Sequence, residues 1–301
     1  MKRLTSRILA WLLCATSLCG CAAGPAPSGG EERAASVQYQ PLDSASAIVQ
    51  APAGTGISYA LETELLEKDH FSDDGVRLAS TRYELPVLRA FRADGQEITE
   101  ARTPAEEQAL LSANTFNGTF DVWRAGSADV AEMVQEDYAS RPEMFVEYGM
   151  CYQDSMTYTA YVTEHAVSVL ASTYSYYGGA HPNTGFCAWT FDLDDGAFLN
   201  PCVIAREEVV FEEAVAAELI RQAQAAAAES GYPLEEFYWE DYAQILSNWP
   251  AYAVSFDASG MTVSYAPYEL GCYASGCHSF TVSTGFLKPY LSEYGQVLLN
   301  L

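Results

Sequence analysis

The sequence predicts an α+β protein of mostly antiparallel sheets with packed helices, arranged as two consecutive α+β subdomains over residues 56–150 and 151–301. Runs rich in β-branched and aromatic residues recur at hairpin spacing, separated by Gly, Asp and Asn turns. Helical periodicity comes in blocks between them instead of strand by strand, which argues for antiparallel pairing and against a parallel α/β sheet. With 301 residues, 49% of them hydrophobic and 13% aromatic, the chain holds enough apolar material for a sizeable core.

At the start, Lys2, Arg3 and Arg7 precede an apolar stretch, Ile8 to Ser17, too short to span a hydrocarbon core about 30 Å thick. Residues 1–20 therefore read as a signal peptide. The segment ends in Leu18-Cys19-Gly20-Cys21, which resembles the bacterial lipobox: an aliphatic residue, a small residue at the cleavage point, then cysteine. Cys14 and Cys19 lack that pattern, so Cys21 is the expected lipidation site. Two acyl chains on its thioether suffice for stable anchoring, which places the chain on the extracytoplasmic face of a membrane. Residues 21–55, rich in Ala, Pro, Gly and Ser, read as a flexible tether with a reach of roughly 30 Å.

From Ile57 the pattern becomes strands. Ile57 to Leu65 and Val76 to Leu88 pair as a hairpin about Ser72-Asp73-Asp74-Gly75. Helical signals dominate from Thr103 to Arg141 and are broken at Asn117-Gly118, which predicts two pieces before Pro142 stops the run. Tyr158 to Val162, Val167 to Tyr174 and Phe186 to Leu193 form a meander with turns at Glu164-His165, Gly178-Gly179 and Asp194-Asp195-Gly196. Phe211, Ala214, Val215 and Leu219 share one face of a helix that Gly231 ends. Pro233 opens a shorter helix to about Leu246. Ala251 to Phe256 and Met261 to Ala266 form a hairpin, His278 to Val282 a last strand, and Ser283 caps a terminal helix through Leu291.

Removing residues 1–20 takes away three basic side chains of 15 and none of the 40 acidic ones, leaving 12 against 40 and a formal charge of −28. Nucleic acid is excluded, because it needs clustered Lys and Arg. An acidic exterior attracts cationic partners within about a Debye length; the plainer account of the charge is solubility. Five cysteines follow Cys21. Cys187 and Cys202 flank the Asp194-Asp195 turn, and Cys272 and Cys277 bracket a short loop, so both pairs could be bridged if their Cα atoms approach, with Cys151 left over.

Catalytic and metal motifs are missing. There is no Gly-x-Ser-x-Gly elbow, no phosphate loop, no i, i+4 histidine pair and no calcium-loop spacing, and no cofactor is implied. Thr190-Phe191-Asp192 lacks the paired histidines a deacetylase metal would need. Cys277 and His278, adjacent in a strand, point to opposite faces. Enzyme activity is not the expectation. What remains is the loop Gly178-Gly179-Ala180-His181-Pro182-Asn183, whose glycines and proline define its backbone, with Tyr174, Tyr176 and Tyr177 before it. Tyr252, Tyr265, Tyr268 and Tyr273 lie around the last hairpin. Tyrosines suit protein interfaces and sugar rings, though half-buried strand positions explain most of them, and His181 is explained as simply by a bond to its own backbone.

Tyr176-Tyr177-Gly178-Gly179-Ala180-His181-Pro182-Asn183, with Thr190-Phe191-Asp192-Leu193 beyond it, resembles the Tyr-x-Gly-Gly-Ala-His-x-Asn and Phe-Asp-Leu segments of the DUF3298 family of extracytoplasmic domains, found in Gram-positive surface proteins. Pro267-Tyr268-Glu269-Leu270 and Tyr273-Ala274-Ser275-Gly276 resemble that family's second signature, with Gly271-Cys272 where the family often has a small residue and proline. Residues 57–148 are similar, more weakly, to the DUF4163-like domain that usually precedes it. Relatives include the outer part of an anti-sigma factor that senses lysozyme and a domain fused to a peptidoglycan deacetylase. The resemblance implies a non-catalytic binding module at the cell wall, for a cationic protein such as lysozyme or, alternatively, for peptidoglycan or another glycan. Its binding residues would be Tyr176, Tyr177, Gly178, Gly179, His181, Asn183, Tyr268 and Tyr273. A hydrolase with an unrecognised site is the third alternative.

Overall fold

The structure, a computed structural model, describes residues 47–50 and 56–300. The signal peptide, Cys21 and most of the expected tether lie outside the described residues. The tether's end is not all linker: β1 (Ala47–Gln50) pairs antiparallel with β2 (Ile57–Phe71).

β2 and β3 (Arg77–Arg92) form the expected hairpin. Both strands run past their apolar stretches because the extensions are lined by charge pairs, Arg82 with Glu67 and Arg77 with Asp69. The break at Asn117-Gly118 separates α1 (Pro104–Gly118) from α2 (Asp121–Ser140), and Pro142 opens a further turn, α3 (Pro142–Val146). Thr103 caps α1 by accepting from the Glu106 amide at 3.2 Å. Asn117 does more than interrupt a helix. Its Oδ1 accepts from the Leu88 amide at 2.8 Å and its Nδ2 donates to the Leu88 carbonyl at 2.9 Å, so one side chain stands in for a neighbouring strand along β3.

These helices carry the chain over to β4 (Tyr152–Val162), which lies parallel to β3, as a long crossover permits. β5 (Ala166–Tyr176), β6 (Asn183–Asp192) and β7 (Ala197–Phe198) follow antiparallel, completing a seven-stranded sheet in sequential order. The β3–β4 pairing, from Ala79↔Tyr152 to Tyr83↔Met156, crosses the expected boundary at residue 150. Strands from residues 56–150 and from 151–301 thus share one sheet.

α4 (Glu208–Ser230) ends at Gly231, whose φ is 77°. The single helix expected after Pro233 is instead two pieces, α5 (Leu234–Phe237) and α6 (Tyr242–Ser247). Tyr238 turns into the core at 3% exposure, and the Trp239 amide bonds the Leu270 carbonyl at 3.0 Å instead of a helical one. β8 (Ala253–Asp257), β9 (Gly260–Tyr265) and β10 (His278–Ser283) make a three-stranded antiparallel sheet. Ser283 caps α7 (Thr284–Leu287) as expected, and the chain then adds an unforeseen α8 (Glu293–Leu298), capped by Ser292.

Strand alternation assigns the two faces of β5 and β6. Val167, Val169, Ala171 and Phe191 join Leu85, Leu88, Phe116 and Phe120 in a core beneath α1. On the other face, buried Ser168 accepts from the Phe256 amide at 2.8 Å, fixing β8 across the sheet. α4 closes a second core with Phe211, Val215 and Leu219 against Val254, Met261, Val263 and Phe280.

Candidate functional site

The tip of the β5–β6 hairpin is shaped by glycine. Gly178 and Gly179 have φ of 83° and 102°, a region L side chains rarely adopt, and a Cβ on Gly178 would lie 3.1 Å from the Met150 sulfur. Tyr176 closes the turn by donating its hydroxyl to the Gly179 carbonyl at 3.2 Å. His181 Nδ1 lies 3.0 Å from the Pro182 carbonyl. A carbonyl only accepts, so the proton sits on Nδ1 and Nε2 is left as an acceptor. The plain reading of His181, a bond to its own backbone, thus holds for one nitrogen.

The other nitrogen reaches across the fold. Tyr268 donates its hydroxyl to His181 Nε2 at 3.1 Å, joining two segments 87 residues apart. Tyr273 stacks on the imidazole, with ring centroids 3.8 Å apart and planes inclined by 21°. Tyr268 is 5.7 Å from Tyr273 by centroids, completing a three-ring group. The two sequence signatures are therefore halves of one surface.

The second half is braced. Tyr268 has a left-handed φ of 73°, uncommon for a residue with a large side chain. Its conformation is held by Trp239 Nε1, which donates to the Tyr268 carbonyl at 3.1 Å, and by Glu269, whose Oε2 accepts from the Ala266 amide at 2.6 Å. Ser275 donates to the Cys272 carbonyl at 2.7 Å, fixing the turn that presents Tyr273. Gly271 allows this close packing: a Cβ there would meet the Phe237 carbonyl at 2.7 Å and the Ser275 hydroxyl at 2.5 Å.

Not all the expected residues belong to this group. Tyr177 follows Tyr176 on the opposite face, its ring 5.4 Å from Tyr152 and its hydroxyl donated to the Asp154 carboxylate. Burial raises the pKa of both the Asp154 carboxyl and the Tyr177 phenol. Asn183, opposite Ser175, is exposed and by alternation shares the Tyr177 side. Trp239 and Met150 were missed because each supports the site from another element, with no local pattern to mark it. Phe191-Asp192-Leu193 is structural: Phe191 is core, and Asp192, 1% exposed, accepts from the Asp194 and Asp195 amides and from the Tyr294 hydroxyl.

The expected disulfides are corrected as well. All five cysteines among the described residues are free. Cys187 stands opposite Ala171 and packs against the first core, whereas Cys202 is buried in the second. Cys272 and Cys277 flank the Tyr273 turn without bridging it. Burial pushes the Cys202 thiol up to about 12 and raises Cys151, Cys187 and Cys277, so none of these four is an activated thiolate. His278 is buried and Cys277 exposed, as opposite strand faces require. Among the described residues, no group of three or more His, Cys, Asp or Glu could hold a metal ion, and no helix is long and apolar enough to cross a membrane. The three-ring surface presents flat aromatic faces with hydroxyl tips.

No family model and no curated protein matches the sequence. Among solved structures, a DUF3298-family protein from Bacteroides fragilis aligns at a TM-score of 0.51 and 13% identity, over 80% of this chain and 96% of its own. A DUF3298-family protein from Pseudomonas aeruginosa aligns at 0.41 and 15% identity, over 78% and 96%. The chain thus has the fold of the Bacteroides fragilis member of the DUF3298 family.

Proposed function

We propose that this chain is a lipid-anchored, non-catalytic binding module on the extracytoplasmic face of a bacterial membrane, and that its His181–Tyr268–Tyr273 surface engages a cationic protein such as lysozyme. The convergence of the Gly-Gly-Ala-His loop and the Tyr268–Tyr273 segment carries this reading, because a contact across 87 residues builds one aromatic surface from both signatures, with Tyr268 exposed and His181 and Tyr273 half-buried. Charge supports the choice of partner. Glu235, Glu236, Glu240, Asp241 and Glu269 surround Trp239 and Tyr268 in sequence, all exposed and none in an ion pair among the described residues. No Lys or Arg lies between Arg221 and Lys288. Several earlier arginines are spent on carboxylates, as in Arg89 with Glu62 and Glu97 and Arg92 with Glu106.

A glycan is the second reading, favoured by the Tyr268 ring, which is 52% exposed and offers a stacking platform. Binding to immobilised lysozyme and to purified peptidoglycan separates the two. A cationic protein partner gives lysozyme binding that weakens as salt screens the acidic rim; retention on peptidoglycan alone, indifferent to salt, would replace this reading with the glycan one. Anchoring is tested independently. Cys21→Ser releases the protein from the membrane fraction, and full retention of processed protein would contradict lipidation there.

A further inference from the structure

The end of β5 away from His181 opens on a cleft of about 610 Å³ lined by Glu164, His165, Glu293, Gln296, Val297 and Asn300. Its walls are fixed from behind. Thr163 donates its hydroxyl to the Leu298 carbonyl at 2.8 Å and accepts from the Ala166 amide at 2.9 Å, tying the β4–β5 turn to α8. Tyr294 ties α8 to buried Asp192.

The lining carries carboxylate and amide acceptors with no partner among the described residues. His165 Nδ1 lies 2.8 Å from the Asp194 carboxylate, which only accepts, so the ring is turned onto Asp194 by a proton on Nδ1. Glu164 and Glu293 make no ion pair among the described residues. Gln296 spends its amide nitrogen on the Leu291 carbonyl at 3.4 Å, leaving its oxygen open. Val297, 56% exposed, is the apolar member, and no Lys or Arg lines the cleft.

Such a lining fits a donor-rich cation. Because no three of the His, Cys, Asp and Glu side chains among the described residues are placed to share a metal ion, the acceptors match charges that are spaced apart. The volume falls within the range of about 300–1,000 Å³ usual for small-molecule sites, more than one ammonium group fills. We propose that this cleft binds a small aliphatic polyamine, with ammonium groups against Glu164 and Glu293 and methylenes over Val297.

Calorimetric titration of the lipidated protein in detergent with spermidine tests this assignment. Saturable binding is expected, weakened about tenfold in Glu164→Gln/Glu293→Gln, since two exposed ion pairs of up to about 1 kcal/mol each are removed. The double variant should melt with the wild type. His181→Ala should leave spermidine binding unchanged, which separates this site from the aromatic surface. Equal binding by the double variant would overturn the proposal. So would displacement of spermidine by magnesium at matched ionic strength, or equal affinity for a blocked lysine, which would make the occupant a metal or a protein side chain.

Discussion

His181 shows how one side chain serves two purposes. Nδ1 locks the loop through the Pro182 carbonyl, and Nε2 with the ring face recruits Tyr268 and Tyr273. The loop itself depends on glycine. Gly178→Ala forces a Cβ into a left-handed backbone and toward the Met150 sulfur, at a cost of about 1–2 kcal/mol, measurable by chemical denaturation; a stability within about 0.3 kcal/mol of wild type would show that the turn tolerates a side chain. His278 makes a different prediction. Buried against Phe237 and Tyr238, with Ser275 as its hydrogen-bond partner, it has a pKa lowered by burial. Its stability contribution is full above the unfolded histidine value of about 6.5. Below that the unfolded chain takes up a proton the folded chain resists, and stability falls as pH drops toward the lowered folded value. His278→Gln keeps a polar partner for Ser275 and should flatten the melting-temperature profile below about pH 6.5; a profile parallel to wild type would remove His278 from the pH dependence.

At the scale of elements, what was legible and what was not divides by range. The β2–β3 hairpin, the β4–β6 meander and the α4 cap at Gly231 follow from local periodicity and turn chemistry, and the structure has them. The break between α5 and α6, and α8, depend on contacts far along the chain: the break on Tyr238 burial and the Leu270 carbonyl, α8 on Asp192 and Thr163; β1 pairs with the nearby β2 edge but falls in a stretch whose composition reads as linker. The candidate site divides the same way. Both signatures could be read, but not that Tyr268 and Tyr273 meet His181, nor that alternation turns Tyr177 away. Asn117 is the sharpest case, read as a helix interruption and found completing a strand edge. Asn117→Ala leaves the Leu88 amide and carbonyl unpaired beside the first core and should cost about 1–3 kcal/mol, read from urea unfolding; a loss below about 0.5 kcal/mol would mean that water replaces the amide without penalty.

Across the whole molecule, one seven-stranded sheet divides the labour. Helices α1 and α2 cover one face, and the small sheet with α4 covers the other. Arg77, Arg82, Arg89, Arg92, Arg124 and Arg141 are engaged in ion pairs, whereas the acidic residues around Trp239 and Tyr268 form none among the described residues. On the proposed reading, charge would supply association rate and the aromatic rings specificity. The most direct test is the affinity for lysozyme of Tyr273→Ala and His181→Ala, measured by calorimetry beside the melting temperature of each. Both substitutions should weaken binding by about tenfold or more, as truncation of interface anchors does, while each costs the fold only about 1 kcal/mol for a lost hydrogen bond or stacked pair. Unchanged affinity in folded variants would contradict the assignment of this surface as the binding site.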